Sequence, residues 1–303
     1  MKLNVNNETH QLKAVLLGIA DSFGGTPELG DCYDPKSKEH VLNGTFPQIK
    51  DITDELKEFQ AVLEKYSIQI YRPSNIASLN QIFSRDIAFV ISNKIILSNV
   101  IKDREKEILA IDPLLNLIKK ENIISLDKDS RIEGGDVILF NKFIFIGYSE
   151  EEDFRKYKVA RTNKSGVERI KSLFPEKEVR SFELLKSDDN AKENALHLDC
   201  CFQPIGKNQA IIYEGGFKNK KDIKYLNQLF GSGNLIKINS QEMYDMNSNI
   251  FSISENVIIS ERSFLRLNKI LRERGFTVEE ISYSEISKME GLLRCSTMPL
   301  IRK

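Results

Sequence analysis

The chain has no tryptophan, and only three histidines and four cysteines among its 303 residues. Cys32, Cys200, Cys201 and Cys295 show no paired spacing. That excludes a disulfide framework and a zinc ribbon, and it points to a reducing compartment. Charge of one sign is also missing, because 44 basic residues balance 44 acidic ones. A general binder of nucleic acid or anionic membrane would carry a basic excess. No apolar run reaches membrane-spanning length. The first residues, Met1 to Glu8, lack the apolar core of a signal peptide. These absences predict a soluble, cytoplasmic protein, long enough to bury a substantial core in one domain or two.

Scarcity makes the remaining histidines and cysteines informative. Only His197 is followed two residues later by a carboxylate, in Leu196-His197-Leu198-Asp199-Cys200-Cys201. Strand alternation would put His197, Asp199 and Cys201 on one face, with Leu198, Cys200 and Phe202 on the other. Cys200 and Cys201 read as packing, since vicinal cysteines with no second pair make a poor metal site. Cys295 stands alone beside Arg294, in Gly291-Leu-Leu-Arg-Cys295. A lone cysteine is more often core than chemistry. With a histidine elsewhere it becomes a candidate nucleophile, and a neighbouring arginine could hold its sulfur as thiolate. Two further clusters stand out: Phe83-Ser-Arg-Asp86, and Ile132-Glu133-Gly134-Gly135-Asp136. The double glycine suits a close approach of backbone or ligand. Taken singly, these clusters read equally well as caps and turns. Arg85 reads as structural, paired with a neighbouring carboxylate, and His10 and His40 as surface residues.

The chain also repeats itself. Apolar pairs at Ile87–Ile91 and Lys94–Ser98, Val137–Phe140 and Phe143–Gly147, Phe202–Ile205 and Ala210–Tyr213, and Ile250–Ile253 and Val257–Ser260 read as hairpins with short polar turns. A helical pattern follows each, over Asp103–Lys120, Thr162–Leu173, Lys221–Phe230 and Glu261–Arg274. A short strand closes each unit, at Ile123–Leu126, Glu178–Phe182, Leu235–Ile238 and Phe276–Ile281. Leu12–Leu17, Asp54–Tyr66 and Ile68–Tyr71 give the same order more loosely. The period is about fifty residues, and such repetition favours a ring over an ordinary α/β sandwich, because one unit cannot bury its apolar face alone. Gly18–Gln48 is a Gly/Pro/Asp-rich stretch of the kind that forms lids.

In chain order the motifs are Ser-Arg-Asp86, Glu133-Gly-Gly-Asp136, His197-Leu-Asp199 and Arg294-Cys295. This set resembles the guanidino-group-modifying enzymes: arginine deiminases, amidinotransferases and dimethylarginine dimethylaminohydrolases. The resemblance runs from about Asn80 to the C-terminus. It implies a five-bladed α/β propeller (pentein) as a single domain over residues 1–303. It also implies roles. Cys295 would be the nucleophile, His197 the acid and base, and Glu133 the partner that orients and charges His197. Asp86 and Asp199 would grip a guanidinium, a planar cation whose forked donors match carboxylates. Two buried acids repel without a cation between them, so they would select guanidinium over neutral urea. Asn80 and Arg161 match positions that bind the amino-acid end of the substrate in arginine deiminases, although an insertion at Glu151–Ala160 precedes Arg161. Met243–Asn249 resembles an Asn-rich stretch near the amidinotransferase site. Leu292 and Leu293 stand where the family often has glycines.

The resemblance implies a cysteine-dependent enzyme acting on the guanidinium of arginine or a close relative, with no metal or organic cofactor. A covalent amidino-cysteine would be hydrolysed to a ureido product and ammonia. Rivals are amidino transfer to an amine, a dihydrolase carrying arginine to ornithine, and a non-catalytic propeller. The last would not need Cys, His and carboxylates together. Dimethylarginine hydrolysis is less favoured, because methylated nitrogen has fewer donors for Asp199. Oligomeric state is left open, with a homodimer allowed.

Overall fold

The computed structural model describes residues 1–303. Fifteen strands form five separate three-stranded sheets, all built alike. The second sheet holds β3 (Ala88–Ile91), β4 (Lys94–Leu97) and β5 (Ile123–Ser125). The third holds β6 (Val137–Phe140), β7 (Phe143–Tyr148) and β8 (Glu178–Glu183). The fourth holds β9 (Phe202–Ile205), β10 (Gln209–Ile212) and β11 (Leu235–Lys237). The fifth holds β12 (Phe251–Ser252), β13 (Val257–Glu261) and β14 (Thr277–Ile281). In each, an antiparallel hairpin is followed by a parallel third strand.

The first sheet reaches the same pattern by joining the chain's two ends. The last strand, Thr297–Arg302, runs antiparallel to Leu12–Leu17, which pairs in parallel with Gln69–Tyr71. The C-terminus therefore supplies the inner strand of the first module, and Cys295 enters the ring just before it. This is a pentein fold. The sheets do not join into one continuous barrel ladder. Their apolar faces are buried against helices and one another in three core clusters of 38, 25 and 16 residues.

Local sequence explains most of the elements. Ser92 and Asn141 adopt left-handed φ of 54° and 55° at the first turn position of their hairpins. Asn163 caps the helix Lys164–Leu173 by accepting from the Gly166 amide. The helix Lys220–Phe230 agrees with its predicted segment, whereas Leu265–Glu273 starts four residues later than predicted, because Glu261 lies in β13 and Arg262–Phe264 form the turn after it. The insertion before Arg161 forms the helix Glu151–Lys156. The Gly18–Gln48 stretch carries a helix at Pro35–Leu42, with Asp34 as its cap.

Two expectations need correction. Asp103–Lys120 is not one α-helix but a 3-10 segment, Lys102–Ile111, followed by a short α-helix, Asp112–Leu115. Pro113 prevents a continuous helix, because it has no N–H and its ring would meet the carbonyl four residues back. Nor do His197, Asp199 and Cys201 alternate on a strand. Leu198–Cys200 is a 3-10 turn with His197 extended before it, and β9 begins only at Phe202. The Leu198 amide, which would otherwise join a ladder, donates to Asp136 Oδ1 at 2.9 Å.

Candidate active site

Three short turns do the same job in successive modules. Ser84–Ile87, Gly134–Asp136 and Leu198–Cys200 each stand immediately before, or one residue before, the first strand of their sheet. They turn Asp86, Glu133, His197 and Asp199 into the middle of the molecule, where all four are 3% exposed or less. The turns pack so closely that only glycine fits between them. A Cβ on Gly135 would lie 2.5 Å from His197 Nδ1 and 3.0 Å from Asp86 Oδ1. A Cβ on Gly134 would lie 2.1 Å from the Arg85 carbonyl oxygen.

His197 Nε2 lies 2.9 Å from Glu133 Oε2, and His197 Nδ1 lies 3.7 Å from Asp86 Oδ1. Burial alone would raise Glu133, but Arg161, the His197 hydrogen bond and Arg104 prevail and hold it at about 2. Glu133 is therefore a carboxylate and accepts the His197 Nε2–H. Burial works against a charged imidazole, yet Asp86, Glu133 and Asp136 raise His197 above the ordinary histidine value. Both His197 Nδ1 and Asp86 Oδ1 are buried without a hydrogen-bond partner. Such atoms are costly to leave unmade, so this pair marks where a ligand's donors and acceptors belong.

Cys295 approaches from the other side. Its Sγ lies 3.1 Å from Asn249 Nδ2 and 3.6 Å from Asp199 Oδ2, and its amide donates to Asn249 Oδ1 at 3.1 Å. Burial, then Asp199 and Asp86, push the thiol well above its usual value, against the pull of the Leu292 backbone and Arg294. Arg294 does not hold the sulfur as thiolate. Its guanidinium is spent on Asp199 Oδ2 at 2.8 Å, Glu8 Oε1 at 2.9 Å and the Val137 carbonyl at 2.7 Å. Arg85 lies 3.8 Å from the same Glu8.

Several of these groups are not apparent in the sequence motifs. Asn249 lies in the Asn-rich stretch that sequence reading noted, and its neighbour Ser248 donates to the Asp199 carbonyl at 2.8 Å. Glu8 comes from the N-terminal segment, far from every motif. Arg104 donates to Asp86 Oδ2 at 2.8 Å and grips Glu107 with two bonds of 2.8 and 2.7 Å. The only sequence signal for that pair was an Arg and a Glu three residues apart.

Arg161 lies 3.3 Å from Glu133 Oε2, and donates to the Lys158 carbonyl at 3.1 Å and the Tyr33 carbonyl at 3.0 Å. Asn80 accepts from the Ile82 amide and turns its Nδ2 towards Met289, 3.8 Å from the sulfur. Asn80 borders a cavity of about 390 Å³ whose walls include Phe23, Tyr33 and Asp34 of the 18–48 segment together with Phe83, Glu107 and Met289. Cys295, His197, Asp199 and Glu133 do not line it and are 2% exposed or less.

Asp86, Glu133 and His197 each offer one atom within 4.8 Å of the others, as a metal site would require. Arg104 and Arg161 already put two guanidinium cations on those carboxylates. That donor set suits proton transfer better than a dication.

The fold and the buried Cys–His–carboxylate cluster define a guanidino-modifying pentein. Residues 46–302 match the family described as N,N dimethylarginine dimethylhydrolase, eukaryotic, and the chain belongs to that family. It is 30% identical over 258 residues to the uncharacterized protein YkgA of Bacillus subtilis, covering 84% of this chain and 82% of YkgA. It is 27% identical over 271 residues to an arginine deiminase of Bacillus cereus, covering 74% of this chain and 62% of the deiminase. Among solved structures, the N-terminal domain of ArgZ, a cyanobacterial arginine dihydrolase, superposes with a TM-score of 0.79 at 18% identity, covering 95% of this chain and 98% of that domain. SxtG, an amidinotransferase of Microseira wollei, superposes with a TM-score of 0.76 at 16% identity, covering 99% and 97%. No helix is long and apolar enough to cross a membrane.

Proposed function

We propose that the protein uses Cys295 to attack the central carbon of a guanidinium and transfers the amidino group to water. The observation that carries this reading is a buried centre that holds a thiol beside one acid and a histidine beside another, with both acids acting on the thiol. Cys295 Sγ is 3.6 Å from Asp199, and the partnerless Asp86 Oδ1 is 3.7 Å from the partnerless His197 Nδ1.

Burial raises the Cys295 thiol, and the like charges of Asp199 and Asp86 raise it further, so the resting site favours the protonated sulfur. A guanidinium between those acids supplies the missing positive charge and lowers the cost of the thiolate. The thiol gives its proton to His197 as the sulfur bonds to the guanidine carbon, and His197 hands a proton to the departing amine as the C–N bond breaks. Glu133 keeps the imidazole aligned and stabilises its cation. Water attacks the amidino-cysteine and gives a proton to His197; the C–S bond then breaks, His197 returns the proton to the sulfur, and a ureido product and the free thiol are released. Each turnover consumes one water and releases one amine. The covalent step has a parallel in ArgZ, an asparagine-to-serine form of which is covalently bound to a reaction intermediate.

A second reading, hydrolysis of an N-methylated arginine, gains from two observations. The family match names that reaction. Arg294 also takes Asp199 Oδ2, so Asp199 needs fewer donors from the substrate. An acceptor amine in place of water would give amidino transfer with the same residues.

The test is to incubate the protein with arginine, methylated arginines and guanidinoacetate, with and without glycine or ornithine. Ammonia, methylamines, ureido products and transferred amidine are measured. Ammonia with citrulline-type product supports the first reading, and methylamine release the second. Failure to consume any guanidine overturns both.

A further inference from the structure

We propose that Glu107, acting through Arg104, is a positioning residue for the guanidinium clamp: it aims Arg104 at Asp86 and holds it back from Glu133. The proposal rests on the role read above for Asp86 and His197, and it concerns residues outside every sequence motif.

Arg104 is 4% exposed and stands between the two acids that matter most. One nitrogen, Nη1, is 2.8 Å from Asp86 Oδ2 and 3.9 Å from Glu133 Oε2. An unanchored guanidinium there could pair with either. Glu107 removes the choice. It takes Nε at 2.8 Å and Nη2 at 2.7 Å, the planar two-bond grip that fixes an arginine in orientation as well as place. Nη2 also donates to the Phe83 carbonyl at 3.2 Å.

The backbone favours this arrangement. Residues three apart eclipse one another in a 3-10 helix, and Arg104 and Glu107 lie three apart in the 3-10 segment Lys102–Ile111. In a regular α-helix the same two residues would still be neighbours but offset by about 60° around the axis.

The anchor has two consequences. Asp86 keeps one oxygen on Arg104 and its other oxygen, Oδ1, free to receive a substrate N–H. Glu133 keeps its short contact with His197 rather than a stronger one with Arg104. Glu107 also borders the cavity, so it forms part of the wall between that space and the catalytic groups. The charged and titratable groups facing Arg104 are Asp86, Glu107, Glu133 and Tyr33. Those facing His197 are Asp86, Glu133 and Asp136.

The experiment compares Glu107→Gln, Glu107→Ala and Arg104→Lys in the full-length protein. Both Glu107 variants remove the charge, but the glutamine oxygen can still accept from Arg104 Nε, so the difference between them reads position. With a substrate from the guanidine panel, Glu107→Ala should raise KM about tenfold while kcat changes less than about threefold. Glu107→Gln should recover part of the loss. Arg104→Lys cannot make the two-bond grip and should resemble Glu107→Ala. Unchanged KM in Glu107→Ala, or equal effects in the alanine and glutamine variants, would overturn the proposal.

A second readout needs no turnover. The His197 ring titration, followed by NMR among only three histidines, should move to lower pH in Glu107→Ala, and less far in Glu107→Gln. A folded alanine variant with an unmoved titration would also overturn it. If the wild-type protein consumes no guanidine, the reading of function falls, and the NMR comparison still decides the role of Glu107. If Glu107→Ala does not fold, the position of the Glu107→Gln titration relative to wild type decides it: no shift sinks the proposal.

Discussion

Cys295 and Cys201 carry the same group at the same depth, and they differ in what surrounds them. Both are 2% exposed or less, and burial raises both thiols. Cys201 sits in an apolar cluster with Phe202, Phe217 and Ile212, its sulfur 3.5 Å from the Leu198 carbonyl. Cys295 has the Asn249 amide at 3.1 Å and Asp199 at 3.6 Å. Burial therefore does not distinguish the proposed nucleophile. A donor aimed at the sulfur, and carboxylates able to draw in a cation, make the difference. The same contrast separates the whole polar centre, where Asp86 and His197 leave atoms unpaired, from the phenylalanine-lined cluster beside it.

The sharpest way to break this contrast is to exchange the two thiols' fates. Cys295→Ser should lower turnover at least about a thousandfold with the fold intact, while Cys201→Ser stays active. Iodoacetamide should label Cys295 ahead of Cys200 and Cys201, and substrate should protect it. Because that thiol is raised, its labelling rate should keep climbing with pH after an ordinary thiol has levelled off. Equal activity of the Cys295 variant would remove it as nucleophile.

Next in size is the histidine pair. His197→Ala should reduce kcat by roughly a hundredfold to ten-thousandfold. Adding Glu133→Gln to it should cost little more, because the two act as a unit. Additive losses would show that Glu133 works independently. Asp86→Asn and Asp199→Asn should each lower kcat/KM about a hundredfold, from the loss of charge-assisted hydrogen bonds at roughly 1.5–3 kcal/mol apiece. Normal kinetics in both would place the clamp elsewhere.

A smaller effect is expected in stability against pH. Arg294, Arg85 and Arg302 overcome burial and hold Glu8 at about 2, as Arg161 and His197 do for Glu133. Both folded values lie below the ordinary 4.5, so the stabilisation is complete above that pH and disappears as pH falls towards 2. Each group should contribute on the order of 2–3 kcal/mol. The urea midpoint should therefore drop between pH 5 and pH 3, and drop less in Glu8→Gln. The smallest effect belongs to the apolar side. Cys201→Ala should cost about 1 kcal/mol of stability by urea titration and leave kcat unchanged.

The two sides of the comparison were not equally legible in the sequence. Alternation and turn residues marked β3, β4, β6, β7, β9 and β10 closely, because hairpin register is a local property. Repetition predicted the five modules. Glu133, His197, Asp86 and Asp199 stood out as rare residue types in recognisable company. The 3-10 geometry at His197 did not stand out, because a His-Leu-Asp-Cys-Cys run alternates like a strand until Asp136 takes the Leu198 amide. Arg104 and Glu107 looked like an ordinary helical ion pair, and Glu8 like part of an unremarkable polar start.

By itself the sequence determined the modular order, the hairpins and which side chains stand as candidates for the chemistry, since each depends on residues near in the chain. Tertiary structure decided which charge meets which. Arg294 reaches Asp199 and Glu8 across 95 and 286 residues of chain. Arg104 pairs with Asp86 across 18 residues, and Arg161 with Glu133 across 28. Buried ions must find partners because water is absent. Which partners they find depends on the distances set by closing the ring, and those distances are not written in any one stretch of residues.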